Sequence, residues 1–536
     1  MLNNLKRGVL LAMARYHRQS FISQLKSGRA IQERIFRELL GQARDTVYGR
    51  EKHLSAINSL KDFQRHIPIQ TYEDYLPYIE RLKRGEKNVL FPEKEKLIMF
   101  ALSSGTTASP KFIPVTSSFF NSYRRGSLYW GALMFLSYPG LLDGVILPIV
   151  SSWSEFKTEK GVPCGGISGL IARSQRGVAR SRYHLPASVY EIKDIEDKYY
   201  TILRLGLAEP GVRFISSANP STLITLARYA DKWKEDLITD IAGGSPPYLS
   251  PDKKRAKELD QIVRREGKLN PSSFWPGLYL ISCWKGGTVG QYLPLLKEYY
   301  GQVPVYDLGL LASEGRMSIP IGNDNHQGVL DIQSHFYEFI PEEEEDNPLA
   351  RALLMGELEK GRRYFIILTT SSGFFRYHIR DLIEVVDFYE GVPVIAFLNK
   401  GRHISSLTGE KLTEFQVSRA MEKIGFIKGE EWTLLPCWDN QVPYYALVAE
   451  EPQLKSLNNK EIVEQFDDEL KNLNLEYKSK RYSQRLGDIR LISVLAGTFS
   501  KIKKELVERQ GGRMEQYKQV HLDVDKKIWP YIEELL

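Results

Sequence analysis

At 536 residues, 42% of them hydrophobic and 26% charged, the chain has the make-up of a globular protein too long for one ordinary core, so two or three domains are expected. Its net charge of +7 comes from 73 basic and 66 acidic residues dispersed along the sequence, which argues against a nucleic-acid partner and suits a mildly positive cleft for an anionic ligand. The three cysteines, Cys164, Cys283 and Cys437, form no CxxC pair; buried thiols in a reducing, cytoplasmic compartment are expected in place of a disulfide framework or a zinc site.

The opening stretch MLNNLKRGVLLAMARYHRQS sets basic residues ahead of a short apolar patch, but Arg15 and His17 interrupt it and no small-residue cleavage site follows, so a helix is expected and not a signal peptide. In residues 29–44, Ile31, Ile35, Leu39, Leu40 and Ala43 recur at helical spacing. The segment HIPIQTYEDYLPYIERLKRGEKNVLF then reads as a turn, a helix and a linker. It leads into residues 100–116, FALSSGTTASPKFIPVT, around which the chain is organised.

This stretch gathers Ser103, Ser104, Thr106, Thr107 and Ser109 around Gly105 and then supplies a cation, Lys111. A phosphate chain needs such a loop: backbone N–H groups that can turn inward, hydroxyl donors and a countercharge. The spacing is not a Walker A pattern, and composition alone favours a polar turn between two strands. A helix is expected over 118–136 and a buried strand over 144–150; Pro139, Gly140 and Asp143 break the most apolar window, so no membrane span is expected. The loop KGVPCGGISG at 160–169 holds Gly165, Gly166 and Gly169, a sign of close backbone approach.

Between Pro276 and Gly315 the pattern is strand (277–284), helix (Val289, Tyr292, Leu293 and Leu296, closed by Gly301) and strand (304–309), which predicts a parallel pair. Ligands of open α/β sheets sit beyond the carboxyl ends of such strands, where LLASEG (310–315) falls. PEEEEDNP at 341–348 reads as a solvated acidic loop. Strands are expected at 364–370, 382–389 and 392–398, with FFRYHIRD between the first two. Asp381 is either a ligand-binding carboxylate or half of a surface pair with Arg380. Past Lys400, helices marked by Val417, Ala420, Met421 and Ile424, by Ile462, Phe466 and Leu470, and by Phe499, Ile502 and Leu506 alternate with strands at 433–437, 444–449 and 489–495, a compact α+β unit.

SSGTT followed by Lys111 and FIPVT, the lead-in PI-x-TYEDY-x-PYIER with GE-x-NVL, the SEG of 313–315, the Tyr377 to Asp381 segment, the hinge-like NKGRHISSLTGEK and the terminal GTF and QYK occur in the order of the GH3 acyl acid amido synthetases, which the chain resembles along its length. The resemblance implies an α/β fold: a large N-terminal adenylate-forming domain (1–399) with mixed and parallel sheets and flanking helices, and a small α+β C-terminal lid domain (400–536) after a hinge near Lys400. It implies ATP and Mg²⁺ as cofactors. Ser103, Ser104, Gly105, Thr106, Thr107 and Lys111 would cradle phosphates; Ser313 would approach the nucleotide, and Glu314 would hold the metal. Tyr377 and Asp381 would meet the ribose, Lys400 and Arg402 would lie at the hinge, and Lys518 would swing over the α-phosphate. GVPxG resembles the acceptor-facing loop, which gives Gly166 and Ser168 as substrate contacts, a plain turn being the alternative; Trp284, with Trp130 and Tyr129, is a candidate lining for the acyl site, core packing being the commoner role of aromatics beside strands.

The implied reaction adenylates a small carboxylic acid and passes the acyl group to an amine, expected to be an amino acid. A thiol acceptor, or a nucleotide-binding module without turnover, are the alternatives. No nucleic-acid or membrane partner is implied, and a monomer is expected. Four positions depart from the family pattern: Ala108 stands where a glycine is usual, Leu310 for a tyrosine, His378 for an arginine and Arg380 for a glycine. No general base is evident, and His378 is not assigned that task.

Overall fold

The structure is a computed structural model that describes every residue apart from 1, 104–110, 176, 245–246, 287–289, 291, 323–325, 346, 348–349, 401–403, 406, 408–411, 427–428, 430, 439–442, 455–457, 483–485, 511–518, 525–527 and 534–536. It divides into two compact units, one of residues 1–285 with 297–397 and one of residues 286–296 with 398–536.

The first unit begins with the expected helix, Leu2–Leu25. The next helix, Gly28–Ala43, buries Ile35, Phe36, Leu39, Leu40 and Ala43, the stripe that its apolar spacing draws, while Arg29, Arg34 and Glu38 stay on the wet face. In the lead-in, Thr71 and Asp74 form a capping box that starts the helix Tyr72–Lys83. The helix Ser117–Ser137 starts where the Thr116 hydroxyl accepts the Phe119 amide at 3.2 Å. Tyr129 on this helix is buried and packs on Phe21 at a ring distance of 5.3 Å, so it belongs to the contact with the first helix and to the core.

Three main sheets carry the first unit. Four parallel strands, Val145–Ile149, Val212–Ser217, Leu280–Ser282 and Val305–Tyr306, lie in that order. The predicted parallel pair is present, with Ile281 opposite Val305 and Ser282 opposite Tyr306. Both strands are shorter than expected. The Asp307 carboxylate accepts the amides of Lys285 at 2.7 Å and Gly309 at 2.6 Å and so turns both chains out of the sheet at this end.

A second sheet orders Lys111–Thr116, Leu97–Ser103, Pro163–Gly165 and Phe156–Lys157. The third is antiparallel throughout its described pairings: Ser318–Ile319, Gln327–Leu330, Val392–Lys400, Tyr377–Tyr389, Arg363–Thr369 and Phe336–Pro341. Here the sequence reading needs correction. Residues 377–381 are not a connection between strands but the first part of a 13-residue strand.

In the third sheet Glu338, on the Phe336–Pro341 strand, and Arg376, just before the Tyr377–Tyr389 strand, are 1% and 4% exposed and form an ion pair of 3.0 Å, and Arg376 also donates to the carbonyls of Gln64 and Ile67. Both charges are thereby satisfied in the core.

The second unit is α+β, as expected. Trp432–Trp438 pairs antiparallel with Pro443–Glu450, which pairs parallel with Arg490–Val494. The helix Glu414–Ile424 opens on a Thr413 to Gln416 capping box and closes at Gly425, φ 67°. The helices Asn459–Leu473 and Thr498–Gln510 follow the predicted periodicity. Trp432 is fully buried against Phe466 and stacks on His521 at 4.1 Å. Among the described residues no helix is long and apolar enough to cross a membrane.

Candidate active site

Two antiparallel strands flank the hydroxyl-rich stretch in the sequence. Leu97–Ser103 and Lys111–Thr116 pair antiparallel up to Ser103 opposite Lys111, while Ser104, Gly105, Thr106 and Thr107 lie outside the described residues. The parallel strand Pro163–Gly165 pairs with the same Leu97–Ser103 strand, Ala101 opposite Gly165, which brings Gly166 and Ser168 to the Ser103 end of the sheet. Gly166 caps the helix Ile167–Ser174, and Ser168 is half-buried in its first turn. The close approach foreseen for the glycines is to the chain's own backbone: a Cβ on Gly165 would stand 2.2 Å from the Trp153 carbonyl, and one on Gly169 2.2 Å from that of Ser151.

Against this strand pair leans a small hairpin. Leu311–Ala312 and Gly315–Arg316 pair antiparallel, so that Ser313 and Glu314 form a two-residue turn. The Ser313 hydroxyl donates to the Leu102 carbonyl at 3.3 Å, fastening the turn beside the end of the Leu97–Ser103 strand. Glu314 is 6% exposed.

Tyr72 packs against the Lys111–Thr116 strand. Its hydroxyl accepts the Phe112 amide at 2.8 Å, and the Lys111 ammonium lies over its ring, 5.4 Å from the centroid. Burial, reinforced by the negative charges of Glu80, Glu314 and Glu73, pushes the Tyr72 phenol up to about 12. TYEDY is thus part of the site, a role that its sequence did not disclose. Gln70 bridges to the Tyr377 strand, its amide donating to the Arg376 carbonyl at 2.9 Å and its carbonyl accepting from His378 at 2.8 Å, so the lead-in is stitched to the third sheet.

On that strand Tyr377 is fully buried, and its hydroxyl has no hydrogen-bond partner among the described residues. Burial raises its pKa well above that of an ordinary phenol, and the charges of Glu314, Glu73 and Asp381, with the Tyr72 phenol, add to the effect. Asp381 is 2% exposed. Lys111, Tyr72, Glu314, Tyr377 and Asp381 therefore share one neighbourhood, supplied by all three separated motifs. A buried, unpartnered phenol beside two buried carboxylates and an ammonium is a donor set suited to a polar, phosphate-bearing ligand with a hard cation.

Behind the acidic turn lies a layer that sequence reading missed. Arg316, 4% exposed, donates to the Leu308 carbonyl at 2.7 Å and lies over Trp130. Asp331, 1% exposed, accepts from Ser334 at 2.6 Å. Gly126 admits both: a Cβ there would be 2.7 Å from each. His335 is wedged against Gly315, where a Cβ would stand 2.1 Å from its Nε2. Burial, and then the charge of Arg125, push its pKa down to about 3, so the ring is neutral.

Trp284 is half-buried just past the Leu280–Ser282 strand, and its amide donates to the Ala218 carbonyl at 3.0 Å. Trp130 donates to the Asp307 carbonyl at 2.9 Å and packs on Tyr306, a core setting. Leu310, where a tyrosine would fit the family pattern, packs partly buried against the main core. Lys400 ends a strand, and Arg402 and Lys518 lie outside the described residues.

Comparison with known proteins agrees along most of the chain. A model described as the GH3 family N-terminal domain matches residues 17–305, the GH3 family central domain matches 328–400 and the GH3 family C-terminal domain matches 414–526. Indole-3-acetic acid-amido synthetase GH3.3 of Arabidopsis thaliana is 24% identical over 529 residues, covering 91% of this chain and 88% of the relative. Probable indole-3-acetic acid-amido synthetase GH3.2 of Oryza sativa subsp. japonica is 24% identical, covering 93% and 89%. Among solved structures, the GH3.15 acyl acid amido synthetase superimposes with a TM-score of 0.83 at 20% identity over 96% of this chain and 95% of the other. A 2-hydroxyisobutyryl-CoA ligase in its postadenylation state gives 0.54 at 14% identity over 90% and 92%.

Proposed function

The chain belongs to the GH3 family, and on that premise we propose that it is an ATP-dependent acyl acid amido synthetase. A carboxylate oxygen attacks the α-phosphorus of ATP and pyrophosphate leaves; an amine, that of an amino acid, then attacks the acyl carbon and AMP leaves. The observation that carries this reading is the burial of Glu314 in one neighbourhood with Lys111, Tyr377 and Asp381.

The first step brings two anions together, so the protein's part is positioning and charge neutralisation. In this reading Lys111, with Ser103, Ser104, Gly105, Thr106 and Thr107, holds phosphate oxygens; Ser313 orders the turn that carries Glu314; and Asp381 accepts the ribose hydroxyls. The Tyr377 hydroxyl, which lacks a protein partner among the described residues, is free to donate to the nucleotide. Glu314 would hold Mg²⁺, which supplies positive charge to the phosphates. As the family resemblance implies, Lys400, Arg402 and Lys518 are assigned as further phosphate-binding cations, and the start of the C-terminal domain is placed near Lys400. Gly166, Ser168 and Trp284 border the acyl and acceptor side.

The acceptor step needs a neutral amine and exclusion of water, which would otherwise hydrolyse the acyl adenylate. The burial of all three cysteines, with no CxxC pair among them, supports work in the cytoplasm.

Exchange of labelled pyrophosphate into ATP across a panel of carboxylic acids tests the reading. Acid-dependent exchange is expected, reduced about a hundredfold or more in Glu314→Gln. Exchange that needs no acid, or equal rates in the variant, would overturn it.

A further inference from the structure

The Tyr377–Tyr389 strand stores strain immediately before Asp381. Arg380 stands at φ 62°, the left-handed region that favours glycine. Between the pairs Ile367 with His378 and Phe365 with Leu382, the three residues Ile379, Arg380 and Asp381 face Ile366 alone, so the strand bulges. The Arg380 amide, turned away from the ladder, donates to Nδ1 of His378 at 2.9 Å. A backbone N–H can only donate, so this Nδ1 is the unprotonated nitrogen. The His378 backbone is itself fixed by its bond to the Gln70 carbonyl at 2.8 Å, and its ring lies 5.4 Å from that of Phe365.

We propose that His378 is a positioning residue for nucleotide recognition: by holding the Arg380 amide it fixes the bulge that turns Asp381 into the site. The proposal rests on the reading of Asp381 as the ribose contact. The GH3 pattern has glycine at 380 and arginine at 378. In this chain a side chain at 380 opposes the backbone angle, and the imidazole two residues back offsets it, as Asp and Asn side chains do in turns. The two departures are therefore coupled and compensate one another.

The test compares full-length His378→Leu, His378→Asn, Arg380→Gly and the Leu–Gly double variant, measuring ATP against 2′-deoxyATP binding by calorimetry and thermal melting. His378→Leu should lose about tenfold of the preference for ATP, and His378→Asn, whose Oδ1 can accept the same amide, should keep most of it. In the Arg380→Gly background the Leu substitution should cost little, because glycine takes φ 62° unaided. Melting should follow: a fall of about 1–3 °C for His378→Leu alone, and less than half that with glycine at 380. An unchanged preference in His378→Leu, or an equal loss in both backgrounds, overturns the proposal alone. If the wild-type protein does not distinguish the two nucleotides, the ribose assignment falls and the proposal with it.

Discussion

Two buried carboxylates of the proposed site, Glu314 and Asp381, adjoin backbone positions that are accommodated by opposite means. Glu314 is followed by Gly315, and the place of its missing Cβ is taken by the His335 ring, itself held between Phe119 and Tyr337 at ring distances of 5.8 and 5.9 Å. Asp381 is preceded by Arg380, a side chain where the backbone angle asks for glycine, and a neighbouring histidine accepts the displaced amide. The difference lies in what makes a glycine necessary. Crowding by a buried ring cannot be relieved by a local bond, whereas an unfavourable φ costs about 1–2 kcal/mol and can be offset by one.

The comparison breaks if Gly315→Ala is tolerated. Of the substitutions at the two turns we expect this one to have the largest effect, a destabilisation of about 3 kcal/mol or more in urea unfolding, because the ring it meets is 2% exposed and cannot move aside, and exchange activity should fall with it. Next comes the pH response of the same contact. Folded His335 stays neutral down to about 3, whereas the unfolded chain binds its proton near 6.5, so the unfolded state holds more protons between those values. Stability should therefore fall as pH is lowered from about 6.5 towards 3, by about 1 kcal/mol per pH unit from this residue. His335→Asn should remove that part of the slope, as denaturant titrations at pH 7 and pH 5 would show. The smallest effect is expected for Arg380→Gly, where relief of strain and the greater freedom of the unfolded glycine nearly cancel, leaving a change within about 1 kcal/mol.

A fourth substitution separates both turns from the core beneath them. Arg376→Ala leaves Glu338 buried without its partner and should cost about 3–5 kcal/mol, with urea unfolding as the readout.

The contrast also marks what the sequence could disclose. The strand pair that meets at Ser103 and Lys111, the parallel strands around 281 and 305, and the turn at Ser313 and Glu314 were legible because each is local: a periodicity, a cluster of hydroxyls, a strand end. Tyr72, Arg316, Asp331 and His335 were not, since their roles depend on contacts between distant segments and none carries a local signature. The Tyr377 to Asp381 segment was assigned to a connection because a two-sided strand gives no warning of a bulge, and Arg380 conceals the positive φ that a glycine would have advertised. Tyr129 and Trp130 pack on Phe21 and Tyr306, in keeping with the core setting that is the commoner fate of aromatics beside strands.

The central claim is that the acid itself attacks the α-phosphorus. Supplying a carboxylic acid with ¹⁸O in both carboxyl oxygens, together with ATP and an amino-acid mixture, and weighing the products, tests it most directly. The account predicts AMP heavier by one ¹⁸O and an amide retaining one. Label appearing in inorganic phosphate beside ADP, or AMP formed without label, would contradict it.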